Sequence, residues 1–299
     1  MKTWSCYAAA LVVALGLWWN AETALAAESP APAGWQSLQA MPAPHWDGKT
    51  LLFQSDQGCL AITPLSKDII RVRFAATNSF GRDHSYAVVA HDRANPGAKV
   101  ETTSEATTLT TASLRVVIQH QPLRISFADA NGEILDSEGP EGGISFASDG
   151  RFQVAEQLGD DEHVYGLGEK NGSLDKRGWK LGGYEYVMWN SDTYSYDSST
   201  DPIYDSVPFC LVTRGGHAHG IFLDNTWRSF FDIGHRTPGF LTFGAAGGDL
   251  NYYFINGPEP KKVIERYTEL TGRMPLPPLW SLGYNQCRYS YYPESRVRL

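Results

Sequence analysis

The run Ile69-Ile70-Arg71-Val72-Arg73-Phe74 alternates apolar and basic residues at the period of two expected of a half-buried β-strand. Leu114-Arg115-Val116-Val117-Ile118 repeats that pattern. Leu123-Arg124-Ile125-Ser126-Phe127 carries it on toward a hairpin turn at Asn131-Gly132. Further strand-like runs follow at Val207–Val212, Gly220–Leu223, Phe230–Ile233, Phe240–Phe243 and Leu250–Ile255. Turn signals recur about every 8–12 residues, the rhythm of sandwiches and barrels. No long helix-period pattern interrupts the stretch from Leu51 to Ile255. The expectation is an all-β fold, a large antiparallel β-sandwich.

Composition agrees. The chain has 299 residues, with 19% charged and 12% aromatic residues, 29 Gly and 17 Pro. Disorder needs high charge and few aromatics, and a coiled coil needs a heptad period, so both are excluded. A formal net charge of −8 speaks against a nucleic-acid partner, whose footprint would be basic. Fifteen Tyr and nine Trp suit an uncharged polar ligand such as a sugar.

Residues 1–27 read as a secretory signal peptide: Lys2 opens it, an apolar run spans Cys6 to Trp19, and Ala24-Leu25-Ala26 offers the cleavage site. The run is shorter than the roughly 20 residues that span a bilayer. With no second apolar stretch, no membrane attachment is expected after cleavage. Periplasmic or extracellular residence follows. Cys59, Cys210 and Cys287 remain and have no C-x-x-C spacing, so they read as buried free thiols rather than zinc ligands.

After the sandwich (28–257), Lys261–Leu270 has one amphipathic face made of Val263, Ile264, Tyr267 and Leu270, with Gly272 as its stop. Arg273–Pro278 is a proline-rich connector, Leu279–Tyr284 reads as a new strand, and Pro293-Glu294-Ser295-Arg296 as a helix start. A strand with a helix only begun is half of a βα unit and cannot bury its own apolar face. Residues 258–299 are therefore read as a linker helix and the truncated start of a second domain.

Several segments together carry a resemblance. They are Tyr165-Gly-Leu-Gly-Glu-Lys170, Met188-Trp-Asn-Ser-Asp-Thr-Tyr-Ser-Tyr196, Asp201-Pro-Ile-Tyr-Asp-Ser-Val-Pro-Phe209, Gly220-Ile-Phe-Leu-Asp-Asn225 and Pro275–Tyr291. In this order the chain resembles glycoside hydrolase family 31, the α-glucosidases and α-xylosidases. The resemblance implies a galactose-mutarotase-like sandwich followed by a (β/α)8 barrel, and a retaining α-glycosidase, most readily an α-glucosidase. It places Tyr289 in a barrel loop lining the terminal sugar's pocket. It also makes Asp192 a sugar-contacting residue on a sandwich loop, with Thr193 and Tyr196 on the same rim. An ionised carboxylate accepts several hydrogen bonds, and a pyranose offers adjacent hydroxyls. The two carboxyl groups of a retaining glycosidase would come from barrel strands beyond Leu299, so no catalytic residue is assigned and the chain alone is expected to be inactive. No metal or other cofactor is expected.

Other motifs carry less. Gly166-Leu167-Gly168 lacks a following helix, so it reads as a bulge or turn, not a dinucleotide fingerprint. His217-Ala218-His219, Asp175-Lys176-Arg177, Asp201-Pro202 and Asp224-Asn225 read as turn residues, the first two exposed. The competing functions are a non-catalytic carbohydrate-binding sandwich and a stand-alone mutarotase-type epimerase. The strand and helix start at 279–299 speak against both.

Overall fold

The computed structural model describes residues 34–89, 97–140, 142–177, 185–285 and 292–299. Residues 1–27, read above as a signal peptide, lie outside these residues, as do Cys287 and Tyr289.

Among the described residues, nineteen strands form three antiparallel sheets. The largest runs in the order His163–Gly168, Ser206–Arg214, His217–Leu223, Leu250–Gly257, Ile69–Ala75, Gly58–Pro64, Leu51–Ser55 and His45–Trp46. A second contains Trp35–Ser37, Ile144–Ala147, Phe152–Gln157, Phe240–Ala245, Ser229–Ile233 and Tyr186–Met188. The third contains Ile134–Ser137, Leu123–Asp129, Leu114–His120, Ala106–Thr110 and Lys99–Thr102. An antiparallel bridge between Glu138 and Glu156 joins the two smaller sheets.

Aromatic contacts show how the layers meet. From the large sheet, Phe254 stacks on Phe127 at 4.1 Å, Phe74 meets Phe146 at 5.3 Å, and Tyr252 meets Phe243 at 5.3 Å. The two smaller sheets therefore share one core against the inner face of the large one. Fully burying one such ring contributes about 1.5–3 kcal/mol. The all-β sandwich expected from the alternating runs is the fold observed, with the hairpin at Asn131-Gly132 in place. Cys59 and Cys210 are buried free thiols, as expected.

Successive residues of a strand face opposite ways. Tyr252 and Phe254 accordingly fill the sandwich core, while Tyr253 and Ile255 join a second cluster on the outer face of the large sheet. Helix α1 (Pro260–Thr271) covers that cluster with Val263 and Leu270, and Tyr267 stacks on Phe209 at 4.1 Å. Ile264 departs from the expected face and is exposed, because it follows Val263 by about 100° around the helix. The basic residues of the opening run lie on the same outer face. There Arg71 donates to Asp83 and Asn251, and Arg73 pairs with Asp249.

The C-terminal segment corrects one expectation. Leu279–Leu282 is a short 3₁₀ turn, not a strand, and Glu294–Arg296 forms a second such turn. A strand needs a ladder partner, and among the described residues none pairs with this segment. Its amides turn to local carbonyls instead, with Ser281 N donating to Pro278 O at 3.0 Å.

Candidate functional site

The loop between the Tyr186–Met188 strand and the Ser206–Arg214 strand is built from the inside out. Its support begins outside it, with the Gly-Leu-Gly motif of the His163–Gly168 strand, which proves to be a β-bulge: the register slips between Gly166 opposite Cys210 and Gly168 opposite Ser206. All three residues take positive φ, at 110°, 72° and 80°. A Cβ on Gly166 would lie 2.6 Å from the Phe209 carbonyl oxygen, so glycine is required there. Just past the bulge, Glu169 N donates to Asp205 O, and the chain delivers Lys170 beneath the loop.

Lys170 is fully enclosed. Its ammonium donates to Asp201 Oδ1 at 2.8 Å and to the Val187 carbonyl at 2.7 Å, with Ser206 Oγ at 3.5 Å. Asp201 accepts Val187 N on its other oxygen at 2.6 Å. Asp201 is thus a buried ion-pair partner and not only a turn residue. Lys176 is also a correction. It is buried, caps the Ser173 and Lys170 carbonyls, and its ammonium pKa is lowered by burial and then by Lys170. A loop that must be held from below needs cations inside it, which composition cannot reveal.

Above this base the loop is tied at several points. Trp189 N donates to Ser206 Oγ, Ser206 N to Asn190 Oδ1, and Ser191 N to Ile203 O. Thr193 Oγ1 lies 3.1 Å from both Ser191 Oγ and Pro202 O, so it braces the loop from within. Tyr204 donates its hydroxyl to Thr193 O at 2.7 Å and meets the edge of Tyr196 at a centroid distance of 5.8 Å. Asp192 is exposed, with no hydrogen-bond partner among the described residues. Asp197 accepts from Ser199 and Thr200, which lower its carboxyl pKa.

This is the loop expected to form the rim. Asp192, Thr193 and Tyr196 are brought together on one braced loop beside the exposed rings of Trp189 and Tyr194. Tyr289 lies outside the described residues. Lys170, Asp201 and Tyr204 were not singled out as site residues from sequence, although each stands within a quoted segment. An unpaired carboxylate beside exposed aromatic edges can accept hydroxyl hydrogen bonds while apolar ring faces cover C–H surface, the chemistry of sugar recognition.

A second carboxyl group cluster lies inside the sandwich, where Glu138 bridges to Glu156. Burial, followed by neighbouring acids, raises Asp136 to about 7 and Glu156 well above the usual carboxylate range. Glu138 rises to about 8, chiefly from burial. All three are enclosed, so a sugar cannot reach them. His219 is a further correction to the exposed-turn reading. It is a buried strand residue opposite Val212, stacked 5.2 Å from Phe254, and burial pushes its pKa down to about 3. Only His217, at the strand end, is exposed. Among the described residues no group of three potential ligands is placed to hold a metal.

The sequence model of the glycosyl hydrolase 31 N-terminal galactose mutarotase-like domain matches residues 59–232. The chain is 42% identical over 247 residues to alpha-glucosidase 2 of Bacillus thermoamyloliquefaciens, covering 82% of this chain and 30% of that one. It is 33% identical over 198 residues to the alpha-xylosidase XylQ of Lactiplantibacillus pentosus, covering 63% of this chain and 24% of the relative. Among solved structures, a Flavobacterium johnsoniae GH31 dextranase complexed with glucose superimposes with a TM-score of 0.78 at 30% identity, covering 88% of this chain and 32% of that one. The chain therefore spans less than a third of the length of these relatives.

Proposed function

The chain belongs to glycosyl hydrolase family 31, and from that premise we propose that it is the N-terminal region of an exported retaining α-glycosidase acting on α-glucosides. In this reading the sandwich contributes the rim over the sugar pocket and no catalytic carboxyl group. Among the described residues, the acids gathered in the sandwich core are enclosed. A retaining pair must instead stand about 5–5.5 Å apart and open to the glycosidic bond. Hydrolysis then depends on sequence outside this chain, and the 299-residue chain by itself is expected to be inactive toward a nitrophenyl α-glucoside. The leader at residues 1–27 supports export.

The observation that carries the proposal is the exposed Asp192 on a loop braced by the Lys170–Asp201 pair, in a chain 42% identical to an alpha-glucosidase. The choice of glucose over xylose follows that relative. A charged hydrogen bond from a sugar hydroxyl is worth about 1.5–3 kcal/mol. Asp192→Ala in the full-length enzyme should therefore lower kcat/KM on an α-linked glucose disaccharide by about 10–100-fold. Steady-state kinetics check this, and unchanged values would remove Asp192 from the site.

A further inference from the structure

The rim loop has a neighbour that its own residues do not explain. Trp227 follows the His217–Leu223 strand and is 57% exposed, although tryptophan is usually largely buried. Its ring is nonetheless fixed in place. A Cβ added to Gly247 would lie 2.9–3.1 Å from atoms of the six-membered ring, and one added to Gly248 would lie 3.1 Å from Cδ1 and 3.3 Å from Nε1. The indole thus lies across two consecutive glycines, a seat that any side chain would spoil. Asn225 holds the arrangement together. It accepts Trp227 N at 2.7 Å and donates to the Gly247 and Asp249 carbonyls at 3.0 and 3.2 Å. Ala246 N donates to Arg228 O at 2.9 Å, which closes the link between the two turns.

One ring face is therefore spent on the glycine seat, while more than half of the side chain meets solvent. Its position ties it to the rim. The last pair in the ladder of Tyr186–Met188 with Ser229–Ile233 is Met188 opposite Ser229. The rim loop leaves that ladder at Trp189, on the same end where Trp227 enters two residues before Ser229. Trp227 and the Asp192 loop thus spring from one edge of one sheet. Thr226 and Arg228, both exposed, flank the ring with hydrogen-bonding groups.

We propose that Trp227 is a stacking platform for a sugar unit of the substrate chain beyond the unit held by Asp192, so that the enzyme favours α-gluco-oligosaccharides over disaccharides. This inference rests on the function proposed above. A pyranose presents a C–H face that packs on an aromatic face, and hydroxyls at its edge that suit the flanking polar groups. Because Asn225 and the glycine seat already fix the indole, little side-chain entropy is lost on binding.

The test uses the full-length enzyme and a series of α-linked glucose oligosaccharides of two to five units. In Trp227→Ala, the loss in kcat/KM should grow with chain length, reaching roughly tenfold for four units and carried mainly by KM. Trp227→Phe, which keeps a flat ring, should recover most of that loss. Gly247→Ala, which forces the indole off its seat, should reproduce the chain-length dependence with Trp227 present. A loss independent of chain length overturns the platform while leaving the glycosidase reading intact. So does a lowered Tm in Trp227→Ala with unaltered kinetics, which would make the ring a packing residue covered by the rest of the enzyme. A wild-type enzyme that hydrolyses none of the series overturns both readings.

Discussion

Asp201 and the group of Asp136, Glu138 and Glu156 are all buried carboxyl groups in one sandwich, yet they are accommodated in opposite ways. Asp201 meets a cation: Lys170 donates to one oxygen and the Val187 amide to the other. The inner three have no ion-pair partner among the described residues, and the acids press on one another. Burial outweighs the weaker pull of Arg214 on Asp136 and of Arg124 on Glu138 and favours the protonated form, so these groups keep protons that a solvated acid would release. The first arrangement fixes a loop in a single geometry. The second fills the seam between the two smaller sheets with groups whose tolerance depends on pH.

The largest effect should come from breaking the pair. Lys170→Met leaves the Asp201 carboxylate enclosed without its cation, and removing one member of a buried pair costs about 3–5 kcal/mol. Urea unfolding of the whole chain checks this. The double variant Lys170→Met/Asp201→Asn, with neither charge left to desolvate, should recover part of the loss. Equal losses in the single and double variants would mean that the ion pair is not what holds the loop.

The inner group sharpens the comparison through pH. Glu138 and Asp136 have folded pKa values raised to about 8 and about 7, so the folded chain keeps protons that the unfolded chain has already lost. Stability must therefore fall as pH rises from the ordinary carboxylate range, up to about pH 7 for Asp136 and about 8 for Glu138, by about 1.4 kcal/mol per pH unit for each group. His219 acts in the other direction. Buried neutral with a pKa pushed down to about 3, it makes stability rise with pH up to the unfolded histidine value of about 6.5. The decline should then be steepest between about pH 6.5 and 7, where the histidine no longer offsets one acid, and ease above 7, where Asp136 has lost its proton in the folded chain as well. Glu138→Gln should reduce the slope between pH 6.5 and 8 by about 1.4 kcal/mol per unit, measured by urea midpoints across that range. An unchanged slope would exclude Glu138 as a proton-retaining group.

This contrast also marks what could be read from the chain. Alternation at Ile69–Phe74 and Leu114–Ile118 exposed the sandwich because the period of two is a local property imposed by one buried face. Asp192, Thr193 and Tyr196 were named from a resemblance carried by their segment, and they lie on one loop as their sequence positions require. Lys170 and Asp201 lie 31 positions apart. Nothing in either local sequence says that one charge will be folded under the other. His219 and Lys176 were misread for the same reason, since a polar residue near a turn looks solvated until the strand register decides which way it faces. Leu279–Tyr284 failed differently: its composition suits a strand, but a ladder is a property of two segments.

The smallest effect should come from the upper tier of the rim, and it tests whether the loop's rigidity serves Asp192. Tyr204 donates to the Thr193 carbonyl at 2.7 Å, one residue beyond Asp192, and is 43% exposed. Water can replace a bond so placed, so Tyr204→Phe should cost the loop's local closure, not global stability, about 0.5–1 kcal/mol, near the lower end for a neutral hydrogen bond. The ring contact with Tyr196 does not require the hydroxyl and should persist. If Lys170–Asp201 alone sets the loop, amide exchange at residues 191–205 will match the wild type. If the upper tier also holds it, exchange there will quicken about two- to fivefold with the melting temperature of the sandwich unmoved. Faster exchange accompanied by a similar fall in kcat/KM of the full-length enzyme would tie the bracing of the loop to the sugar contact proposed for Asp192. Faster exchange with unaltered kinetics would separate the two and show that the upper tier's rigidity does not serve Asp192.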